Sequence, residues 1–314
     1  MQNFLKHITN ALQDLQNKPS SSHYKYNIAA ILFDMQAKKI IAGAKNDIPE
    51  IFHGVFTPQD EIGDSGATIH AEMILLQGAN HCNGFSLAVT DPPCPNCMKK
   101  IIMAGINAVY ILESGFTKGL WYNSSDESAI PRKRYFDDVS LAFAHEAGVA
   151  VHTLNNDGTA HEIGKKHTVI STNKDRDNNT YAMAMTENDQ CIKTIEEYTP
   201  GMNDQKADAL RTKFQDSPDG LRYRLMIDPL SNLLAYCAKE GLTIKDGKTY
   251  ISEIPTSRCI VNAVGAGITH FGIPDIAAVS EKSKKALKAL ELLQKKGIIQ
   301  LSIIPNEKIE TFIS

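Results

Sequence analysis

Residues 84 to 111, GFSLAVTDPPCPNCMKKIIMAGINAVYI, constrain the fold more than any other part of this sequence. An apolar run rich in strand-forming residues stops at Asp91, where two prolines end any β-ladder. After Cys94 the hydrophobic period changes. Met98, Ile101 and Ile102 share one helical face, Pro95 suits a first helical turn, and Gly105 is placed to cap the C-terminus. A second apolar run, 108 to 114, follows at once, so the segment reads strand, loop, helix, strand.

The flanking sequence repeats that alternation. Residues 3 to 16 predict an amphipathic helix with Phe4, Leu5, Ile8, Leu12 and Leu15 on one side. Strands are expected over 27 to 34 and 38 to 44, a helix from ATIHAEMILLQGA with Ile69, Met73 and Leu76 inward, a helix over 139 to 148 and a strand over 149 to 154. Strands alternating with helices predict an α/β architecture. Two longer connections, 47 to 66 and 115 to 134, interrupt it; the first is long enough to serve as a lid, and the second holds Trp121, Tyr122 and the basic knot Arg132, Lys133 and Arg134.

A chain of 314 residues exceeds one ordinary core, which makes two domains of about 150 residues the natural expectation. The polar stretch at 157 to 166 then reads as a linker between a domain at 1 to 156 and another at 167 to 314. The two halves resemble each other. Laid over 87 to 111, residues 250 to 273 bring Pro255 onto Pro93, Cys259 onto Cys97, Gly267 onto Gly105 and Ile268 onto Ile106 without a gap. Upstream, 230 to 241 falls over 71 to 82, and Pro229, Leu230 and Ser231 stand where the first half has His70, Ala71 and Glu72.

Composition removes several classes of function. A formal charge of -3 with scattered Lys and Arg argues against a nucleic-acid or acidic-membrane partner. The first residues lack the continuous apolar core of a signal peptide, and no segment approaches a membrane span. Six cysteines with one close pair point to a reducing, cytoplasmic setting in which the thiols are free or hold metal.

The close pair carries the chemistry. Cys94 and Cys97 form a C-x-x-C, which serves as half of a metal site or as a redox pair. Two thiolates leave a tetrahedral zinc two ligands short, and His70 at the head of the preceding helix offers a third. Glu72 follows two residues later, an acid in an otherwise apolar helix. Residues two apart on a helix diverge by about 200°, so His70 and Glu72 meet one ion only if the helix approaches it end-on.

His-Ala-Glu at 70 to 72 with Pro-Cys-Pro-Asn-Cys at 93 to 97 resembles the paired signature of the zinc-dependent cytidine and deoxycytidylate deaminase superfamily. The resemblance covers roughly residues 24 to 153. It implies a three-layer α-β-α sandwich around a central mixed sheet, duplicated in tandem here, with the second copy degenerate. It implies one zinc per chain held by His70, Cys94 and Cys97, and Glu72 as proton shuttle while zinc-bound hydroxide displaces ammonia. Asn46 and the backbone of Ala71 would contact the substrate, a small nucleoside or nucleotide of cytidine or dCMP type; Asn46 also has the ordinary use of a turn residue. Adenosine or purine deamination, on tRNA or as a free base, and a non-catalytic zinc protein that binds nucleotide are the alternatives. Thr256 in place of the first cysteine makes the second half inactive. Relatives in this superfamily self-associate, so the second half would serve as a built-in partner, an intramolecular pseudo-dimer, beside ordinary homodimerisation.

Overall fold

The computed structural model describes residues 1–18, 27–117, 129–163, 181–195, 197–198, 200, 226–274 and 281–314. Helix α1 (Gln2–Asn17) leads into the antiparallel strands β1 (Ala29–Asp34) and β2 (Lys39–Lys45). A short hairpin, β3 (Glu61–Ile62) and β4 (Ser65–Gly66), precedes α2 (Ala71–Gly78). Then come β5 (Ser86–Val89), α3 (Pro95–Met103), β6 (Ala108–Leu112), α4 (Glu113–Thr117), α5 (Ala129–Glu146), β7 (Ala150–Leu154) and β8 (Ala160–Glu162). The first sheet runs β2-β1-β5-β6-β7-β8, with β5, β6 and β7 parallel and the other pairs antiparallel.

Both faces of this mixed sheet are covered, as the three-layer expectation requires. Leu5, Ile8 and Leu12 of α1 pack on Ala29, Ile31, Phe33 and Ala88. The alternate strand residues Ala30, Leu32, Leu87 and Val89 face the other way, toward Met73, Leu76, Met98, Ile101 and Phe143. Period-2 alternation in β1 and β5 thus assigns one face to each helical layer. The predicted linker at 157 to 166 needs correction, because 160–162 form β8 and pair with β7. Three residues of that stretch satisfy their backbone groups in the sheet, so they are structure and not tether.

In the second half the elements are β9 (Tyr181–Met185), β10 (Cys191–Ile195), the ribbon β11 (Glu197–Tyr198) and β12 (Met226–Ile227), α6 (Pro229–Glu240), β13 (Lys248–Ile251), α7 (Ser257–Gly265), β14 (His270–Ile273), α8 (Glu281–Lys295), β15 (Gln300–Ile303) and α9 (Ile309–Ile313). Its sheet, β10-β9-β13-β14-β15, repeats the order and directions of β2-β1-β5-β6-β7: two antiparallel pairs, then two parallel ones. Gly105 and Gly267 both close their helices at positive φ, 76° and 89°, which a side chain rarely tolerates. The downstream register read from sequence therefore coincides with the observed elements. The upstream one is a residue out: α2 starts after His70 and α6 after Asp228, so Asp228 stands at His70 and Leu230 at Glu72. A capping aspartate followed by proline fixes where α6 begins, a stronger signal than the apolar similarity used to align it.

The halves share one hydrophobic core. Leu230, Leu233, Ile260, Val261 and Val264 join the cluster that holds Met73, Met98 and Ile101. The connection 47 to 66 is wedged into the same contact and is not a free lid: Phe52, Phe56 and Ile62 are buried, and Asp64 N–H donates to Ser257 Oγ at 3.3 Å. Gly265 marks a close approach, since a Cβ there would sit 2.1 Å from Ile69 Cδ1 and 3.3 Å from Pro49 Cγ. Gly265→Val is expected to lower the urea midpoint by a cost of about 1–3 kcal/mol, as overpacked sites do. An unchanged midpoint would mean that this contact is loose.

Candidate metal centre

Two helix starts build the site. His70 is the N-cap of α2 and Cys94 the N-cap of α3, both in extended conformation and neither making a side-chain capping bond. Asn46, at the end of β2, supplies the missing cap from a distance: its Oδ1 accepts the Ala71 N–H at 2.7 Å. Its own N–H is bonded to Ile28 O, and the adjacent Asp47 bridges Ile69 in both directions, which holds the amide beside the helix end. His70 is thereby released from the role its position would ordinarily give it.

The imidazole Nδ1 lies 3.3 Å from Cys97 Sγ and 3.8 Å from Cys94 Sγ, and all three ligand atoms fall within 4.8 Å of one another. Sulfur and nitrogen ligands on a tetrahedral zinc stand about 3.6 Å apart, given bonds of about 2.3 and 2.05 Å. The donor set therefore fits that ion. The end-on approach demanded by the spacing is met, because His70 caps the helix and Glu72 is its second residue.

Electrostatics agree with a site made for a cation. Burial pushes the Glu72 carboxyl up to about 7, opposed by the charge of His70 and reinforced by Cys94 and Asp91. Glu72 is 3% exposed, and its Oε2 has no hydrogen-bond partner among the described residues. Burial alone would depress His70; hydrogen bonding to Cys94 and the negative charge of Cys94 and Glu72 outweigh it and hold the ring above its ordinary value. A hydrogen bond from Cys97 and the pairing with His70 draw the Cys94 thiol well down, while Cys97, facing that thiolate and buried, goes up. The three groups are thus electrostatically coupled, and a bound cation would be stabilised by the thiolate charge among them.

Asn46 and Ala71 stand together at this corner, but bonded to each other. A base that takes the Ala71 N–H must displace the Asn46 oxygen, which couples the two contacts expected from sequence. Asn46 Nδ2 donates to no described residue. Trp121 and Tyr122, and the side chains of Arg132, Lys133 and Arg134, lie outside the described residues. Two nearby features escaped the sequence reading: Asp91, buried beside Glu72, and Arg258 of α7, whose guanidinium donates to the Thr68 carbonyl. Asp91 adjoins the cysteine motif and could have been noticed; nothing in the sequence places Arg258 near His70.

In the second half the equivalent corner is closed by hydrogen bonds. Asp228 caps α6 through the Ser231 N–H and Thr256 caps α7 through the Cys259 N–H. The Cys259 thiol donates to Asp228 Oδ2 at 3.1 Å and is touched by Thr256 Oγ1 at 3.1 Å and Ser231 Oγ at 3.3 Å. The positions of His70 and Cys94, candidate ligands in one half, are held by capping side chains in the other.

Comparison with known proteins follows this geometry. Residues 2–113 match the family model for the cytidine and deoxycytidylate deaminase zinc-binding region. Among solved structures the chain is similar to dCMP deaminase from the cyanophage S-TIM5 in complex with dCMP and dUMP, at 22% identity and TM-score 0.29, covering 35% of this chain and 81% of that one. The apo form of that enzyme aligns at 21% identity and TM-score 0.29, over 43% and 93%. A search of curated proteins found no match.

Elemental analysis of purified protein is expected to find one zinc per chain, falling to background in Cys97→Ser and unchanged in Cys259→Ser. Two zinc ions, or loss on changing Cys259, would place a metal in the second half. Over residues 2–113, about a third of its length, the chain is thus similar to the cytidine and deoxycytidylate deaminase zinc-binding region.

Proposed function

We propose that the protein is a zinc-dependent hydrolytic deaminase that removes the exocyclic amino group of a pyrimidine nucleoside or nucleotide, cytidine or dCMP in type. The observation that carries this reading is the convergence of His70, Cys94 and Cys97 on one point, with buried Glu72 beside them at the same helix end. A structural zinc site closes its fourth position with a protein ligand, whereas no fourth His, Cys, Asp or Glu joins this cluster among the described residues. Zinc bound there would polarise water and lower its pKa toward neutrality.

The chain's own residues do the rest. Glu72 accepts a proton from the attacking water and returns it to the ring nitrogen next to the amino-bearing carbon. It then assists ammonia out. Burial raises the Glu72 pKa above the ordinary carboxylate value, which suits a group that must return the proton it takes. Glu72 is itself buried, which keeps bulk water from competing for that proton. Asn46 presents its free Nδ2 to the base or sugar. The second half serves as the intramolecular partner of the first, and its unpaired cysteines suit a reducing cytoplasm.

Ammonia release is the direct test, with cytosine, cytidine, CMP, dCMP, dCTP, adenosine, guanine and a tRNA anticodon stem as substrates. A single small pyrimidine is expected to turn over. Glu72→Ala should keep its zinc and lose about 10²–10⁴-fold in turnover. Loss of zinc together with activity would make Glu72 a structural or ligating group, and turnover confined to adenosine would overturn the pyrimidine assignment.

A further inference from the structure

The first-half site borders the second half along α7. Asp64 is held by Ser257, Ile69 and Pro49 press on Gly265, and Gln77 Nε2 donates to Asn262 O at 2.8 Å. These contacts fix α7 beside the segment that ends in His70. Arg258 lies on its first turn. Its Nη1 donates to the carbonyl of Thr68, two residues before His70.

Thr68 O is the sole partner the structure gives Arg258, and no carboxylate pairs with it among the described residues. The half-buried guanidinium leaves most of its five donors without a protein acceptor and so open to an anion. The hydroxyl of Thr68, itself buried, has no hydrogen-bond partner among the described residues either. A zinc ion held by two thiolates and a neutral imidazole would be balanced in charge, so the metal centre would not itself repel such an anion. It does not attract one strongly, and Glu72 adds nothing positive.

We infer that Arg258, supplied across the interface by the second half, is a specificity-determining residue that takes the phosphate of a nucleoside monophosphate deaminated in the first half. This rests on the deaminase reading above and narrows its substrate class from nucleoside or nucleotide to nucleotide. The planar guanidinium matches two phosphate oxygens at once, and a sugar separates a nucleotide's phosphate from its base, as two residues separate His70 from the Thr68 carbonyl that Arg258 holds. A neutral nucleoside offers the fork only hydroxyls. The second half would then be more than a support: it would carry the group that chooses the substrate.

Steady-state kinetics on dCMP and deoxycytidine, with wild type, Arg258→Gln and Arg258→Lys, separate the possibilities. Arg258→Gln is expected to lower kcat/KM for dCMP about ten- to a hundredfold, through KM, with little change for deoxycytidine; Arg258→Lys should recover part of the loss. Equal losses on both substrates would show a strut for Thr68 and overturn the inference, as would a wild type that prefers deoxycytidine. If neither compound is turned over, the deaminase reading fails and calorimetry on zinc-loaded protein still decides this one. Weaker dCMP binding in Arg258→Gln would uphold the phosphate contact, and unchanged or absent binding would overturn it.

Discussion

Everything in the candidate site depends on two helix N-termini meeting at one point without being capped by their own first residues. A helix start leaves backbone N–H groups without partners, and the residue at the N-cap ordinarily turns its side chain back to satisfy one. His70 and Cys94 occupy those positions and do not. Asn46 provides the acceptor for α2 from the end of β2. That substitution frees the imidazole, while the two helix ends stabilise thiolate charge near them.

The second half shows the same backbone with the opposite choice. Asp228 and Thr256 turn back and cap, each such bond contributing about 0.5–2 kcal/mol, and Cys259 is left hydrogen-bonded among them. In the second half the N-cap positions serve to stabilise their helices. The repeated strand order, the matched glycine stops and the shifted upstream register together form the pattern expected of a tandem duplication whose copies diverged at these caps. What the second half retained is its packing surface. Ile260, Val261 and Val264 continue the core of the first half, and Gly265 lets α7 approach Ile69 closely enough to order the segment leading into His70.

Much of this was legible in the chain because local rules sufficed. Pro95 after Cys94 starts α3, Gly105 stops it, and the alternation in 27 to 34 gives β1 its two faces. The candidate metal cluster of His70, Cys94 and Cys97 could be named from residue type and spacing, since thiolate pairs and a histidine in order are rare outside such sites. Three readings went wrong for physical reasons. Residues 160–162 are polar yet form an edge strand, because an edge needs backbone partners on one side and little apolar surface. The upstream repeat was aligned on apolar similarity, when the Asp228-Pro229 cap sets the true start. The connection 47 to 66 looked like a lid because its partners, Ser257, Lys285 and Ala289, come from more than 190 residues away.

By itself the sequence determined the elements, the order of the layers and the identity of His70, Glu72, Cys94 and Cys97, because helix starts, strand alternation and ligand chemistry are written within a few residues of each other. Only the tertiary structure decided that Asn46 caps α2, that the two halves share one core, and that Arg258 stands beside Thr68. Those relations join residues far apart in the chain through packing and single hydrogen bonds, which leave no periodic mark in sequence.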